Sequence, residues 1–181
     1  MKIYILNGKA GSGKTTFFKL IKEKCRNYVY NYSTIDLVKK VAGGCGWNGS
    51  KTPENRKFLS DLKDLLIEWD DVPYKDCLKE IKRITSLADI YDMEHDDWAI
   101  FIDCREPKEI QKFVDRLGAK TIFIDRKIED YNASNHADAN VENFEYDIVI
   151  NNNGTLEDLA AAAMNFIKTE GIKIKYYDWC N

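Results

Sequence analysis

The octapeptide Gly8-Lys9-Ala10-Gly11-Ser12-Gly13-Lys14-Thr15 follows a short apolar run, Lys2 to Leu6, and precedes an apolar pattern of helical period. It satisfies the spacing G-x-x-x-x-G-K-[ST], and a strand before with a helix after is the context in which that spacing forms a phosphate cradle. Glycines let consecutive backbone N–H groups turn into one concavity. The helix that follows presents the positive end of its dipole to an anion. The candidate triphosphate-binding residues are therefore Gly8, Ala10, Gly11, Ser12, Gly13, Lys14, Thr15 and the adjoining Thr16. Within this set Lys14 would reach the β- and γ-phosphates, and the Thr15 hydroxyl would ligate Mg²⁺.

The rest of the chain alternates strand and helix. Lys2–Leu6, Tyr28–Tyr32, Trp98–Ile102, Thr121–Ile124 and Asp147–Ile150 read as strands apolar on both faces, the mark of a parallel sheet covered on both sides. Helices are predicted over Thr15–Lys24, over Ile35–Ala42 with Ser33 or Thr34 as cap, and over Pro107–Leu117. Thr52-Pro53 opens another, with Phe58, Leu59, Leu62, Leu65, Leu66 and Trp69 as its apolar stripe. Tyr74, Cys77, Leu78, Ile81, Ile84 and Ala88 form a further stripe, and Thr155 caps a helix from Leu156 to Lys168. Gly43–Ser50 reads as a loop, Arg126–Glu145 as a polar lid, and Ile172–Tyr177 as an added edge strand. The prediction is a P-loop three-layer α/β sandwich and one domain over 1–181. A helical insertion at about 33–92 lies over the C-terminal edge of its five-stranded parallel sheet, and a short lid spans 126–145.

Composition narrows the function classes. A net charge of −3 argues against nucleic acid as the main partner, and no apolar run reaches the ~20 residues that span a bilayer. The five cysteines, Cys25, Cys45, Cys77, Cys104 and Cys180, are odd in number and form no CxxC pair. Only His95 and His136 could join them at a metal, so reduced thiols in a cytoplasmic protein are expected. The first residues enter a strand at once, and no signal peptide is visible. The aromatic tail Tyr176–Trp179 packs either on its own sheet or on a partner, which leaves a homodimer open.

A bound triphosphate can meet several fates. The fourth and fifth strands lead into Asp125-Arg126-Lys127-Ile128 and Asn151-Asn152-Asn153-Gly154, neither of which is a guanine-reading N/T-K-x-D. Size favours a small kinase, which needs an acid to organise Mg²⁺, cations around the moving phosphoryl group and an acceptor site. Asp103, at the C-terminal end of the third strand, is the preferred metal acid, with Asp125 as competitor, because ligands bind at that edge of a parallel sheet. Arg105 follows two residues later, and Arg126 opens the polar loop; arginine forks grip phosphate oxygens in pairs. The catalytic set is thus Lys14, Asp103, Arg105 and Arg126, with Thr15 and Asp103 as metal ligands. The acceptor candidates are Lys51 and Arg56 at a helix N-terminus, and Ser33 and Asp36 after the second strand. Trp47 is available to stack a base.

The segments GKAGSGKTT, STIDLVKKVA, KTPENRKFLSDL, FIDCREPKEI, GAKTIFIDR, NHAD and YDIVINNNGTLEDL occur in that order. Together they resemble the deoxynucleoside monophosphate kinases of bacteriophages and their bacterial relatives, over about Lys2 to Ile167. The resemblance implies Mg²⁺-dependent phosphoryl transfer from ATP to a (deoxy)nucleoside monophosphate, with small nucleotides as partners and no nucleic acid or membrane. It also implies Lys14 and Thr15 at the ATP phosphates, Asp103 and Arg105 at the phosphate and metal site, Arg56 at the acceptor and Arg126 in the lid. The turn Asn152–Thr155, Asn153 above all, would touch adenine. The lid departs from the family: Lys127–Glu145 contains no arginine, and Ala137 and Asp138 stand where serine and glutamate are frequent. Another small acceptor (a nucleoside, dephospho-coenzyme A) and a non-catalytic nucleotide-binding module are the alternatives.

Overall fold

A computed structural model describes residues 1–25, 29–90, 98–128 and 140–174. Five strands, β1 (Lys2–Asn7), β2 (Val29–Ser33), β3 (Ala99–Asp103), β4 (Lys120–Asp125) and β5 (Ile148–Asn151), form one sheet in the order β2-β3-β1-β4-β5. Every neighbouring pair is parallel. The helices are α1 (Lys14–Cys25), α2 (Asp36–Gly44), α3 (Pro53–Asp70), α4 (Val72–Ile90), α5 (Pro107–Leu117) and α6 (Leu156–Thr169). This is the expected α/β sandwich, with the glycine-rich loop at the C-terminal end of the central strand.

Alternation along the strands builds two cores. Tyr4 and Leu6 of β1, Phe101 of β3 and Ile122 and Ile124 of β4 face α1 and α6, where they meet Phe17, Ile21, Phe166 and Ile167. Phe101 stacks on Tyr4 at 5.1 Å between ring centres and meets Phe18 edge-on at 5.5 Å. Ile5, Ile100 and Ile102 point the other way, onto Cys77, Ile81 and Ile84 of α4 and Ile110 and Phe113 of α5. The region between β2 and β3 is therefore not all an appendage over the edge, because α4 is one of the helices that cover the sheet.

Other boundaries follow local chemistry. Thr52 caps α3 by accepting from Asn55 N, with Pro53 in the first turn. The helix ends at Asp71, in the left-handed conformation. Thr155 and Asp158 form a reciprocal capping box on α6. The cap of α2 differs from expectation: neither Ser33 nor Thr34 but Ile35 occupies it, and the Asp36 carboxylate reaches back to accept from Ser33 N at 2.9 Å. That helix also runs on to Gly44, so the predicted loop starts later. Ile172–Ile174 forms no strand: Ile172 folds back by a bond from its N–H to Ile167 O and buries in the first core. Residues 175–177 of that expected edge strand, most of the lid (129–139), His95, His136, Ala137, Asp138, Cys180 and the tail Tyr176–Trp179 lie outside the described residues.

Helix α3 has the expected apolar stripe but does not bury it: no residue of the helix is fully buried, and Phe58, Leu65 and Trp69 are 40%, 61% and 77% exposed. Cys25, Cys77 and Cys104 are buried free thiols and Cys45 an exposed one. No helix among the described residues is long and apolar enough to cross a membrane. Phe101→Ala should cost about 3–5 kcal/mol of unfolding free energy in urea denaturation. Leu65→Ala, on the open side of α3, should cost less than about 0.5 kcal/mol.

Candidate functional site

The loop after β1 has its shape because glycine occupies three positions of positive φ: Gly8 at 146°, Gly11 at 81° and Gly13 at 101°. At Gly8 a Cβ would stand 2.6 Å from Ser12 Oγ and 2.7 Å from Ile124 O, and at Gly13 it would strike Asn152 Nδ2. Ser12 N donates to Lys9 O at 3.1 Å, and α1 starts with Phe17 N donating to Gly13 O. Lys14 Nζ arches over the loop and donates to Gly8 O at 2.6 Å and Lys9 O at 2.9 Å. Gly11, Thr15 and Thr16 face outward and are exposed, whereas Ser12 is fully buried.

Two side-chain amides hold the loop: Asn7, which the sequence does not single out, and Asn152, which it places only in the turn expected at adenine. Asn7, fully buried, accepts from Gly8 N through Oδ1 and donates through Nδ2 to Tyr146 OH at 2.6 Å and Arg105 O at 3.3 Å. Tyr146 OH donates in turn to Val141 O at 2.7 Å. Asn152 Nδ2 donates to Ser12 O at 2.7 Å, while its backbone N–H donates to Asp125 O. The signal for Asn7 was an amide ending an apolar strand beside Gly8; Asn152 hid among three consecutive asparagines.

Strand register brings a second group beside the loop. Leu6 of β1 and Ser33 of β2 both lie opposite Asp103 of β3. Asp103 Oδ2 accepts from Asn31 Nδ2 at 3.2 Å, and Oδ1 is buried without a hydrogen-bond partner among the described residues. Burial pushes the Asp103 carboxyl above the ordinary aspartate value, and the nearby charge of Asp36 adds to the rise. The Asn31 bond and the fields of Lys14 and Arg105 pull the other way. Ser33 Oγ donates to Asp103 O at 3.4 Å, and Asp36 also takes Lys39 Nζ at 3.3 Å. Lys14, Asp103, Arg105, Ser33 and Asp36 thus share one edge of the sheet.

The other candidates lie around this group. Arg126 is exposed at the end of β4, and the next residue, Lys127, donates its N–H to Asn153 Oδ1 at 2.6 Å. Asn153 therefore ties the first residues after β4 to the β5–α6 turn. Lys51 and Arg56 sit together at the head of α3, where Arg56 Nε donates to Lys51 O at 3.1 Å. Trp47 Nε1 donates to Ser50 O at 3.1 Å. No group of three His, Cys, Asp or Glu residues suited to a metal exists among the described residues. The unbonded Oδ1 of Asp103 and the exposed Thr15 fit a small hard cation that takes its remaining ligands from phosphate and water.

No protein-family model matches the chain, and no curated protein matches it. Solved structures do. The chain is similar to TT1252 from Thermus thermophilus at 17% identity, over 93% of this chain and 97% of that one, with a TM-score of 0.49. It is similar to shikimate kinase from Aquifex aeolicus at 15% identity, over 94% and 98%, with a TM-score of 0.46. A gluconokinase from Sinorhizobium meliloti follows at 11%, over 93% and 94%, with a TM-score of 0.41. The fold rests on the chain's own strand order and glycine loop, to which likenesses at this level add nothing.

The sign of the Asp103 shift has a consequence for stability. Its folded pKa lies above the unfolded value of about 3.9. Between the two the folded chain binds the extra proton, so stability falls as pH rises through that interval. In metal-free buffer Asp103→Asn should raise the urea midpoint at pH 7 and flatten that fall. A lowered midpoint would mean that the carboxylate is a net stabilising group.

Proposed function

We propose that the chain is an ATP-dependent phosphotransferase acting on a (deoxy)nucleoside monophosphate. The observation that carries the transferase part is the pairing of the Gly8–Thr15 cradle with Asp103 and Arg105 at the neighbouring strand end. The ordered segments shared with the phage-type deoxynucleoside monophosphate kinases support the acceptor.

In this reading the loop N–H groups and Lys14 bind the β- and γ-phosphates, and Lys14 exchanges its bonds to Gly8 O and Lys9 O for phosphate oxygens. Mg²⁺, held by Thr15 and Asp103, would neutralise charge on the β,γ-phosphates. Arg105 and Arg126 supply charge where the phosphoryl group moves. An oxygen of the acceptor's phosphate attacks the γ-phosphorus, the bond to the β,γ-bridging oxygen breaks, and ADP leaves. Such an acceptor is already ionised near neutral pH, so the chain needs positioning and charge balance more than a general base. Lys51 and Arg56 would grip the acceptor phosphate, and Ser33 and Asp36 its sugar or base edge.

One observation favours a second acceptor class. Asp103, buried with one oxygen unbonded and beside Asn31, Ser33 and Asp36, could accept the proton of a hydroxyl, which suits a nucleoside or another polyol-like acceptor.

A coupled ADP-release assay with MgATP against the four dNMPs, the NMPs, nucleosides and dephospho-coenzyme A separates these acceptors. Turnover with monophosphates is expected, and turnover with nucleosides alone would select the second class. Lys14→Ala should cut kcat at least about 100-fold, as loss of a transition-state charge contact does. Arg56→Ala should raise acceptor KM about tenfold and leave the KM for ATP unchanged. ATP binding without turnover of any acceptor would favour a nucleotide-binding module instead.

A further inference from the structure

The 18-residue helix α3 has no buried apolar side chain. Its inward residues Leu59, Leu62, Leu66 and Ile67 are only half-buried, so apolar burial gives it a weak hold. One polar side chain goes deeper. Lys63 crosses from α3 to α5 and donates to Glu109 Oε2 at 2.7 Å, with side-chain exposures of 13% and 6%. Lys63 Nζ also donates to Thr34 Oγ1 at 3.2 Å, and Thr34 Oγ1 donates to the same Glu109 oxygen at 3.3 Å. Cys104 Sγ is a fourth member, at 3.1 Å from Glu109 Oε2.

The cluster adjoins the phosphate-transfer edge. Thr34 N donates to Asp103 O at 3.2 Å, and Cys104 is the residue between Asp103 and Arg105. Thr34 lies in the turn that carries Ser33 and Asp36. Glu109 thus takes donors from α3, from the β2–α2 turn and from the residue after β3 on one oxygen. Its Oε1 is buried with no hydrogen-bond partner among the described residues. A packed helix stabilised for its own sake would more cheaply use leucine here, since apolar replacements of buried ion pairs are often neutral or stabilising. A buried charge pair constrains direction and register where apolar contact does not.

We propose that Lys63 and Glu109 are positioning residues. Their buried pair, bridged by Thr34, fixes α3 and its head residues Lys51 and Arg56 at one setting relative to Asp103 and Arg105. The reach of this pair to the acceptor rests on the function proposed above, whereas its control of α3 does not.

Amide hydrogen exchange on the full chain, without nucleotide, tests the control of α3. Lys63→Met and Glu109→Gln should each speed exchange across residues 53–70 at least tenfold and leave β1 and β3 as protected as in the unchanged chain. Equal acceleration in β1, β3 and α3 would make the pair an ordinary stabilising contact and overturn the proposal. Unchanged exchange in α3 would overturn it too. If either variant fails to fold, Glu109→Asp keeps both charges but withdraws the carboxylate from Lys63, and the same selective loss of α3 protection is expected of it. In turnover, Lys63→Met should raise acceptor KM at least fivefold with the KM for ATP within twofold. Loosened α3 with acceptor KM unchanged would contradict the link to the acceptor. A chain that turns over no acceptor yet shows selective loosening would sink the proposed function and leave the control of α3 standing.

Discussion

The site depends on a backbone that cannot relax. Gly8, Gly11 and Gly13 hold positive φ angles, and the side-chain amides of Asn7 and Asn152 fasten the two ends of the turn they make. Residues with a Cβ rarely adopt these angles, and at Gly8 and Gly13 a Cβ would also collide with neighbours. The turn is therefore fixed by the chain itself, which would spare an anion bound there the entropy cost of ordering it. The central position of β1 follows from the same need: strands on both sides bring Asp103, Asp125 and their loops to the rim of the cradle.

Charge is arranged around that cradle at some expense to stability. Asp103 is kept in a place that disfavours its ionised form, balanced only in part by Asn31, Lys14 and Arg105. Lys63 and Glu109 are buried as a pair under α3. Burial lowers the ammonium pKa of Lys63, but Glu109 and its neighbours outweigh it and leave the net shift upward, so the charged form persists. The two features meet through Thr34, whose N–H bonds to Asp103 O and whose hydroxyl lies between Lys63 and Glu109. Buried charge is thus gathered at one strand end, a pattern common where a site needs perturbed charges.

Much of this was legible in the sequence, for identifiable reasons. Strands apolar on both faces, glycine spacing before Lys14 and the Thr52-Pro53 and Thr155 caps are local signals, and each appears where expected. The exposed side of α3 was not legible, because Phe58, Leu65 and Trp69 have the same period as a core stripe. Periodicity shows that a face is apolar, not what covers it. Lys63 gives no sequence signal, because a lysine among leucines ordinarily reads as a snorkelling surface charge and its partner lies 46 residues away. The holding roles of Asn7 and Asn152 leave no sequence signal, because they lie in the carbonyl and N–H groups these amides meet across the fold, which no spacing encodes.

The proposed function stands on triphosphate binding, through the phosphates, by the loop after β1. The most direct test is calorimetric titration of the chain with MgATP, repeated in the presence of inorganic tripolyphosphate or of adenosine. A single saturable site is expected, from which tripolyphosphate displaces ATP and adenosine displaces little. Absence of binding, or displacement by adenosine with tripolyphosphate inert, would contradict it.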